Sequence, residues 1–273
     1  VEDQGAIIIG EFSYQNWYWR QYGRVEGVIN VVRALGRSND IFFYRLAEWV
    51  GPESLAEFAR WFGYGEPTGF EGQQERVGLI PTPAWKQQFF GERWYLGNTF
   101  HMGIGQGDVL VTPAQVQVMM STVATRGRQC ELHVISDTAP ACQEISLQPT
   151  TWDAVEAGLH EACAAGGTAY PFFDSPYDAI CKTGTAEFGV ADERGYRRTH
   201  GWFTVAVSRA PREPRADFNF EPAYIITVLV ESDEQQLYQE GSRDAAPLAR
   251  AVADFLILGS VDTSKELVEF ESE

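Results

Sequence analysis

The stretch Ala179-Ile-Cys-Lys-Thr-Gly-Thr185 places a lysine, a glycine and two threonines directly after three apolar residues. Short apolar runs of this kind predict a strand, so we expect the polar residues to lie at its end. Side chains alternate along a strand, which puts Lys182 and Gly184 on one face and Thr183 and Thr185 on the other. The glycine leaves room for a ligand or a neighbouring backbone. Taken alone, the four polar positions also fit an ordinary lysine at a strand edge.

The residues after this stretch predict the rest of a small sheet. Trp202–Val207 and Tyr224–Val230 are short β-branched or aromatic runs, and the charged turn Pro211–Pro214 between them indicates neighbouring antiparallel strands. An apolar helix, Ala245–Leu258, closes this part of the chain. Helices come first, then strands, then one helix, and this order predicts an α+β fold rather than a βαβ alternation.

The part of the chain before residue 166 is predicted to be mainly helical. Apolar periodicity and breaking glycines or prolines predict helices at Val28–Gly36, from Ser38 to Val50, at Leu55–Phe62, from Thr112 to Gly127, and at Trp152–Ala165. The first thirty residues are expected to be irregular. Residues 65–97 are expected to form a long loop with a short helix near Ala84.

The charge balance and the apolar runs exclude several classes of protein. The formal net charge of -17 argues against a nucleic-acid or anionic-membrane surface, because the field of the protein repels phosphate. The longest clean apolar run, Tyr224–Val230, is far shorter than the roughly 20 residues that span a membrane. The chain opens Val1-Glu2-Asp3 without a signal peptide, so we expect a processed or truncated piece of a longer protein.

The cysteines and histidines predict no metal site and no cofactor. The spacing of the four cysteines matches no zinc pattern, and the four histidines are scattered along the chain. Cys130 and Cys142 flank a loop-like stretch. A disulfide between them and a pair of free thiols fit the sequence equally well.

Two further segments have a structural and a functional interpretation each. Ser38-Asn39-Asp40 precedes a helix, and all three residue types are favoured N-caps. The functional alternative is a serine that relays a proton, next to a carboxylate that holds a polar group of a substrate. Ile104-Gly-Gln-Gly107 lacks the lysine of a phosphate loop and the context of a dinucleotide fingerprint, which favours a structural turn.

The order of these segments resembles the transpeptidase domain of class B penicillin-binding proteins. Ser38-Asn39-Asp40, Ile104–Gly107 with Thr112-Pro113, and Lys182–Glu187 follow one another as the family's SxN-like, IGQG-TP and KTGTAE elements do. The resemblance extends over most of the chain, through Val28–Ala47, Gly103–Gly127, Gly166–Ala169, His200–Phe203 and Gly241–Phe255. It implies the fold shared by penicillin-binding proteins and serine β-lactamases, an antiparallel sheet flanked by helices.

The resemblance implies a peptidoglycan D,D-transpeptidase. In this reaction a serine attacks the D-Ala–D-Ala carbonyl of a stem peptide, D-Ala leaves, and a neighbouring amine takes the acyl group. β-Lactams imitate the dipeptide and acylate the same serine. No metal and no cofactor take part. The resemblance also implies an extracytoplasmic location, an anchor in the cell membrane outside this chain, and a glycosyltransferase as a possible partner.

The family's motifs assign a role to each site residue by analogy. Ser38 relays a proton toward the leaving nitrogen, and Asp40 holds the substrate amide. Lys182 supplies positive potential, Gly184 gives the substrate room, and the hydroxyls of Thr183 and Thr185 bind the terminal carboxylate. The backbone N–H of Thr185 is one of two oxyanion-hole donors.

This sequence departs from the family pattern at two places. None of its three lysines follows a serine by three residues, so the SxxK motif that carries the nucleophile is missing. We therefore expect residues 1–273 to be the C-terminal part of one transpeptidase domain, inactive alone, with a loose acidic tail over 260–273. The segment with SxxK and the first two strands of the sheet is then a partner of this chain. The second departure is Asp40, where the family usually has asparagine.

Two alternatives to a transpeptidase remain open. A non-catalytic β-lactam sensor, or a relative that only binds wall peptides, fits the same motifs and is distinguished by the absence of SxxK from the whole gene. A β-lactamase on the same fold needs a base for deacylation, and the sequence shows no motif for one.

Overall fold

The computed structural model describes residues 1–70, 74–134, 139–212 and 220–259. The strands are β1 (Glu2–Asp3), β2 (Ala6–Ile9), β3 (Phe12–Gln15), β4 (Gly27–Val28), β5 (Arg128–Cys130), β6 (Cys142–Glu144), β7 (Tyr177–Phe188), β8 (Arg198–Pro211) and β9 (Tyr224–Val230). The α-helices are α1 (Trp17–Tyr22), α2 (Val31–Arg37), α3 (Asp40–Val50), α4 (Pro52–Trp61), α5 (Pro83–Phe90), α6 (Leu96–Gly103), α7 (Pro113–Ala124), α8 (Pro149–Ala162) and α9 (Ala246–Leu258). The mixture confirms the predicted α+β class.

The main sheet is antiparallel and has the order β7-β8-β9. One face packs on α9, where Tyr177, Ala179 and Cys181 of β7 join the buried alanines of that helix. The other face packs on α7 and α8, and Ile180 lies in that second cluster. The alternation predicted for the strand is therefore observed, and it places Lys182 on the face of Ile180.

β7 is longer than the sequence predicted. It runs for 12 residues, and Lys182–Thr185 lie in its middle rather than at its end. The first five residues of the strand are buried and the remainder are half-buried or exposed. β-Propensity scales penalise the glycine and the charged residues, but pairing with β8 continues through Phe188, which is opposite Arg198.

The first thirty residues contain regular structure, contrary to the expectation of an irregular segment. β2 and β3 form a hairpin around Gly10, where φ is +60°, and β1 pairs with β4. The hairpin is stabilised by tertiary packing, since Ile7 is buried against Ile41 and Phe100. α6 was also missed, because its glycines at 97 and 103 are typical of a loop. Gly103 is required there, since a Cβ would lie 2.5 Å from that of Ala47.

Two disulfides join cysteines that are 12 and 18 residues apart in the chain. Cys130 and Cys142 are bonded across β5 and β6, which settles the alternative that the sequence left open. Cys163, at the end of α8, is bonded to Cys181, and both are fully buried. The sequence did not predict this second bridge, which fixes α8 to the residue before Lys182.

The edge of the sheet formed by β9 has no further strand within the described residues. α9 packs on the sheet through Ala246, Ala249 and Ala253, and it turns a second apolar face away from the sheet. This apolar stripe of α9, between 45% and 59% exposed, consists of Leu248, Val252, Phe255 and Leu258. The predicted acidic tail, 260–273, lies outside the described residues. Within them, no helix has the length and apolar character needed to cross a membrane.

Candidate active site

Lys182 and Ser38 meet across a cleft, although 144 residues separate them in the chain. The cleft is the gap between the edge of β7 that faces away from β8 and the corner where α2 meets α3. Lys182 Nζ donates to Ser38 Oγ at 2.7 Å and to the carbonyl of Thr183 at 3.0 Å. Because Ser38 Oγ accepts the lysine's bond, its own hydrogen is left to donate to another group.

Ser38 occupies the corner between the two helices in the left-handed conformation, with φ 52° and ψ 48°. This conformation costs a non-glycine residue on the order of 1 kcal/mol, and the surrounding structure must supply it. The N-cap of α3 is Asn39, whose Oδ1 accepts from Phe42 N at 2.9 Å. The capping interpretation of the segment thus applies to Asn39, which leaves Ser38 free to bond with Lys182.

A buried carboxyl group, that of Asp3, holds this corner in place. Its two oxygens accept N–H bonds from Gly5 N at 2.7 Å, Asn16 Nδ2 at 2.8 Å, Asn39 Nδ2 at 2.7 Å and Glu26 N at 3.1 Å. Asp3, Asn16 and Asn39 are each at most 1% exposed. Sequence reasoning missed this group, because its partners come together only in the folded chain.

Asp40 lies in the first turn of α3, beside α1. Its Oδ2 accepts from the backbone N–H of Trp17 at 2.8 Å, and its own N–H donates to Asn16 Oδ1 at 3.2 Å. Burial raises the pKa of Asp40 to about 6, against the opposing effects of the Trp17 bond and of the charges on Lys182 and Arg20. One oxygen of the Asp40 carboxyl group is therefore used in a structural hydrogen bond. The pKa of about 6 lies close to neutral pH.

Lys182 has an altered pKa as well. Burial lowers the pKa of Lys182 to about 8, and the negative charge of Asp40 opposes the change. A lysine with this pKa is neutral in a measurable fraction of molecules at pH 7, so it can exchange a proton with the hydroxyl that it contacts. The pair therefore places a lysine with a lowered pKa in direct contact with a serine hydroxyl.

The open edge of β7 carries the other contacts of the cleft. Gln106, in the loop between α6 and α7, donates from Nε2 to the carbonyl of Thr185 at 2.7 Å. Its Oε1 accepts from the N–H of Glu187 at 3.1 Å. In an antiparallel pair the N–H and C=O of one residue point the same way, so Thr185 N–H also faces this edge. The segment Ile104–Gly107 therefore forms the predicted turn and also bonds to the edge of β7 through Gln106.

Thr183 and Thr185 lie on the strand face opposite to Lys182. The hydroxyl of Thr183 is 2.9 Å from that of Thr168, and Thr185 is exposed. The backbone before Thr168 is fixed by Arg37, which donates to the carbonyl of Gly166 at 3.1 Å and pairs with Glu26. These contacts connect the residue before Ser38 to the threonines of β7.

Glycines let the backbone come close at the floor of the cleft. Gly184 is opposite Trp202 in β8, and a Cβ on it would lie 3.1 Å from the Cβ of Trp202. On the other side of the sheet a Cβ on Gly241 would lie within 2.5 Å of the Gly184 carbonyl oxygen. The backbones of Gly184 and Gly241 are therefore in close contact, and the absence of a Cβ on Gly241 is what allows it. Among the described residues, no three His, Cys, Asp or Glu side chains are grouped to hold a metal.

The chain belongs to the family described as the penicillin binding protein transpeptidase domain, whose profile matches residues 2–254. Peptidoglycan D,D-transpeptidase MrdA of Haemophilus influenzae is 30% identical over an alignment of 279 positions, which covers 94% of this chain and 40% of that protein. The sequence resemblance to penicillin-binding proteins is thereby confirmed.

Solved structures of relatives show the same fold. PBP2 of Helicobacter pylori, in a complex with MreC, superposes with a TM-score of 0.77 at 28% identity, over 95% of this chain and 45% of that one. A structure described as a peptidoglycan synthase complex that coordinates polymerization and crosslinking has a TM-score of 0.76 at 30% identity, over 92% and 40%. The chain thus spans less than half the length of these relatives, and its fold is the transpeptidase fold.

Proposed function

We propose that this chain forms the KTGT and SxN side of the active site of a peptidoglycan D,D-transpeptidase that β-lactams acylate. The observation that carries the proposal is the 2.7 Å bond between Lys182 and Ser38 beside the open edge of β7. The MrdA relative is named for this reaction, and the family profile covers almost the whole chain. The substrate is then a stem peptide that ends in D-Ala–D-Ala.

In this proposal Lys182 and Ser38 transfer protons, and the threonines of β7 bind the substrate. Lys182 holds Ser38 Oγ, so the hydroxyl hydrogen of Ser38 can pass to the leaving nitrogen while Lys182 returns a proton to the oxygen. The charge on Lys182 also stabilises a neighbouring alkoxide and attracts the terminal carboxylate. The hydroxyls of Thr183 and Thr185 bind that carboxylate, and Gly184 keeps the floor of the cleft open beside them.

Thr185 and Asp40 supply the remaining contacts in this proposal. The N–H of Thr185, which the strand alternation places on the open edge, donates to the oxyanion of the tetrahedral intermediate. Such a donor contributes roughly 3 kcal/mol of transition-state stabilisation in acyl transfer. Asp40 receives the substrate amide with the oxygen that does not bond to Trp17.

The nucleophile is proposed to come from a segment outside residues 1–273 that also completes the sheet. This chain contains no SxxK motif and spans 40% of the MrdA relative. The edge of β9 and the apolar stripe of α9 are two surfaces on which such a segment would pack, since unpaired edges attract other strands. The chain without that segment is therefore proposed to be inactive.

An extracytoplasmic location fits both the substrate and the cysteines. Two disulfides, and no free cysteine, are found in the described chain, and disulfides persist in oxidising compartments. We place the membrane anchor outside this chain. The complexes of the relatives with MreC and in a peptidoglycan synthase make a glycosyltransferase and a protein similar to MreC the candidate partners. The net charge of -17 speaks against nucleic acid.

A non-catalytic sensor of β-lactams or wall peptides is the second candidate. The elements of the site in this chain are equally useful for binding and for catalysis, so absence of an SxxK motif from the whole gene would favour the sensor. A serine three residues before a lysine in the whole gene decides between the two candidates.

Labelling with a fluorescent penicillin tests the proposal. We expect the full-length protein to form a covalent adduct and residues 1–273 alone to form none. Lys182→Met in the full-length protein should slow acylation by about 1,000-fold, the middle of the range for proton-transfer catalysis, with little loss of melting temperature. The matched control is Lys86→Met, since Lys86 pairs with Glu92 and Asp108 instead of Ser38.

Three results would contradict the proposal. A covalent adduct on residues 1–273 alone would mean that this chain has a nucleophile of its own. A full-length protein that binds penicillin without an adduct would support the sensor. Equal losses of stability and of labelling in Lys182→Met, with the folded fraction fully active, would make Lys182 a structural residue.

A further inference from the structure

The carboxamide of Gln106 occupies the open edge of β7 as a neighbouring strand would. It donates to the carbonyl of Thr185 and accepts from the N–H of Glu187, at 2.7 Å and 3.1 Å. These two groups are adjacent along one edge, and a strand paired there would use the same two. The same edge presents Thr185 N–H, the proposed oxyanion donor. The side chain of Gln106 therefore lies where an extended ligand would continue.

The backbone of Gln106 is fixed, which leaves its side chain as the part that can move. Its N–H donates to the carbonyl of His101 at 2.8 Å, at the end of α6. The glycines on both sides, Gly105 and Gly107, have φ of +70° and +73° and shape the turn. A Cβ on Gly105 would meet nothing within 4 Å, so the space next to the loop is open. A rotation of the Gln106 side chain alone frees the edge.

A second contact closes the same end of the cleft. Arg20 of α1 donates to Glu187 Oε1 at 3.3 Å, and the two side chains are 54% and 40% exposed. An exposed ion pair of this kind contributes little free energy, because solvent screens it and two long side chains must be ordered. The closure over Glu187 is therefore weak and easily reversed.

We propose that Gln106 is a displaceable cap on the substrate-binding edge of β7, and that it selects for ligands with an N–H that replaces its own. This inference rests on the function proposed above. When the scissile carbonyl lies on Thr185 N–H, the next group along the edge is the Thr185 carbonyl. A ligand with a backbone-like amide donates its N–H there and must first displace Gln106 Nε2. A ligand without that N–H leaves the cap in place.

Two β-lactams distinguish these cases. Benzylpenicillin carries an acylamino N–H beside its β-lactam carbonyl, whereas a carbapenem carries a hydroxyethyl group at that position. The second-order acylation constant is measured for both in the full-length protein and in Gln106→Met, which keeps the length of the side chain without the amide. We expect a rise of about fivefold for benzylpenicillin, the effect of one net hydrogen bond, and a change within about twofold for the carbapenem.

Control variants separate the cap from general effects. Gln88→Met, at an exposed position of α5, should change neither constant. Gln106→Glu removes the N–H to Thr185 and keeps the acceptor for Glu187. If Gln106→Met does not fold, the same acylation constants are measured for Gln106→Glu instead. Equal losses for both drugs would show that Gln106 only supports the strand, and unchanged constants would show that it does not compete. Either result overturns the proposal.

A separate measurement keeps the cap testable if the wild-type protein is not acylated at all, which would contradict the proposed function. N-Acetyl-D-Ala–D-Ala is then titrated non-covalently against the wild type and Gln106→Met. The cap predicts binding about fivefold tighter in the variant, again the effect of one net hydrogen bond. Equal binding, or no binding to either protein, overturns it.

Discussion

Side chains from three separate segments reach the β7 edge of the sheet, whereas the β9 edge has no further strand in the described part of the chain. Ser38 is joined to Lys182, Gln106 to Thr185, and Arg20 to Glu187. Close to the β9 edge, α9 instead exposes the apolar stripe. β9 receives one such bond, from Gln117 Nε2 to the carbonyl of Ile225 at 2.8 Å. A polar edge held by several reversible contacts suits a ligand, and an unpaired edge near apolar side chains suits a permanent strand. The difference agrees with the proposals above, which assign the substrate to the β7 edge and further chain to the β9 edge.

The largest expected effect is that of replacing Asp3, whose carboxyl group holds the corner that carries Ser38. Asp3→Ala leaves the buried Nδ2 groups of Asn16 and Asn39 without their acceptor, at about 3 kcal/mol of unfolding free energy. The corner that carries Ser38 loses its support, so acylation by the remaining folded protein should fall as well. Denaturant unfolding and penicillin labelling of the full-length protein measure the two effects.

Glu2→Ala is the matched control for Asp3→Ala. Glu2 is exposed on the same short strand, so its removal should change the free energy of unfolding by less than about 0.5 kcal/mol. If Asp3→Ala proved as mild as Glu2→Ala, the corner would not depend on Asp3, and the polar edge of β7 would need another source of order.

The second prediction concerns the β9 edge and the apolar stripe of α9. If upstream chain covers the apolar stripe of α9, Phe255→Ala in the full-length protein should lower the free energy of unfolding by about 2 kcal/mol, somewhat less than the roughly 3–5 kcal/mol of a ring buried in a core. Val190→Ala is the control, because Val190 is 92% exposed and lies outside the stripe. Denaturant titration compares the two variants. Equal, small losses would mean that the stripe stays uncovered and that the comparison of the two edges is misleading.

The sequence predicted the strand residues of the site better than their surroundings. Lys182–Thr185 form a local motif, and Ser38 was found through the order of the family's motifs despite the 144 residues between it and Lys182. Asp3 and Gln106 could not be found in this way. Their partners lie 36 and 79 residues away, and a single aspartate or glutamine has no pattern that marks such a bond. The second disulfide was missed for the same reason.

The regular structure near the N-terminus was missed for a related reason. The four residues of β2 and the six of α1 are too short for periodicity to identify, and their stability comes from packing. Ile7 is buried by α3 and α6, while Trp17 is held by its Nε1 bond to the carbonyl of Arg37. Elements of this kind follow from the whole fold rather than from the local sequence.

The last and smallest prediction concerns the charge of Asp40, at the start of α3 beside the β7 edge. The charge raises the pKa of Lys182 against the effect of burial, and it favours the charged form of any other lysine in the cleft. A lysine that takes the proton of the nucleophile must be neutral, so Asp40→Asn should move the acid limb of the acylation profile to lower pH, by less than about one pH unit. The amide oxygen of the introduced asparagine would still accept from Trp17 N, and the variant should be more stable than the wild type at pH 7, because the buried negative charge is removed.

The stability profile supplies an independent check on the same variant. The folded pKa of Asp40, about 6, lies above the usual 3.8, so the folded state binds the proton more tightly and stability falls as pH rises from about 4 to 6. Lys182 acts in the opposite sense between about 8 and 10.5, where stability rises with pH. In Asp40→Asn the fall in stability between about pH 4 and 6 should disappear, whereas the rise between about pH 8 and 10.5 should remain. With Asp108→Asn as the control, an unmoved acid limb would exclude Asp40 from the site and leave Ser38, Lys182, Thr183 and Thr185.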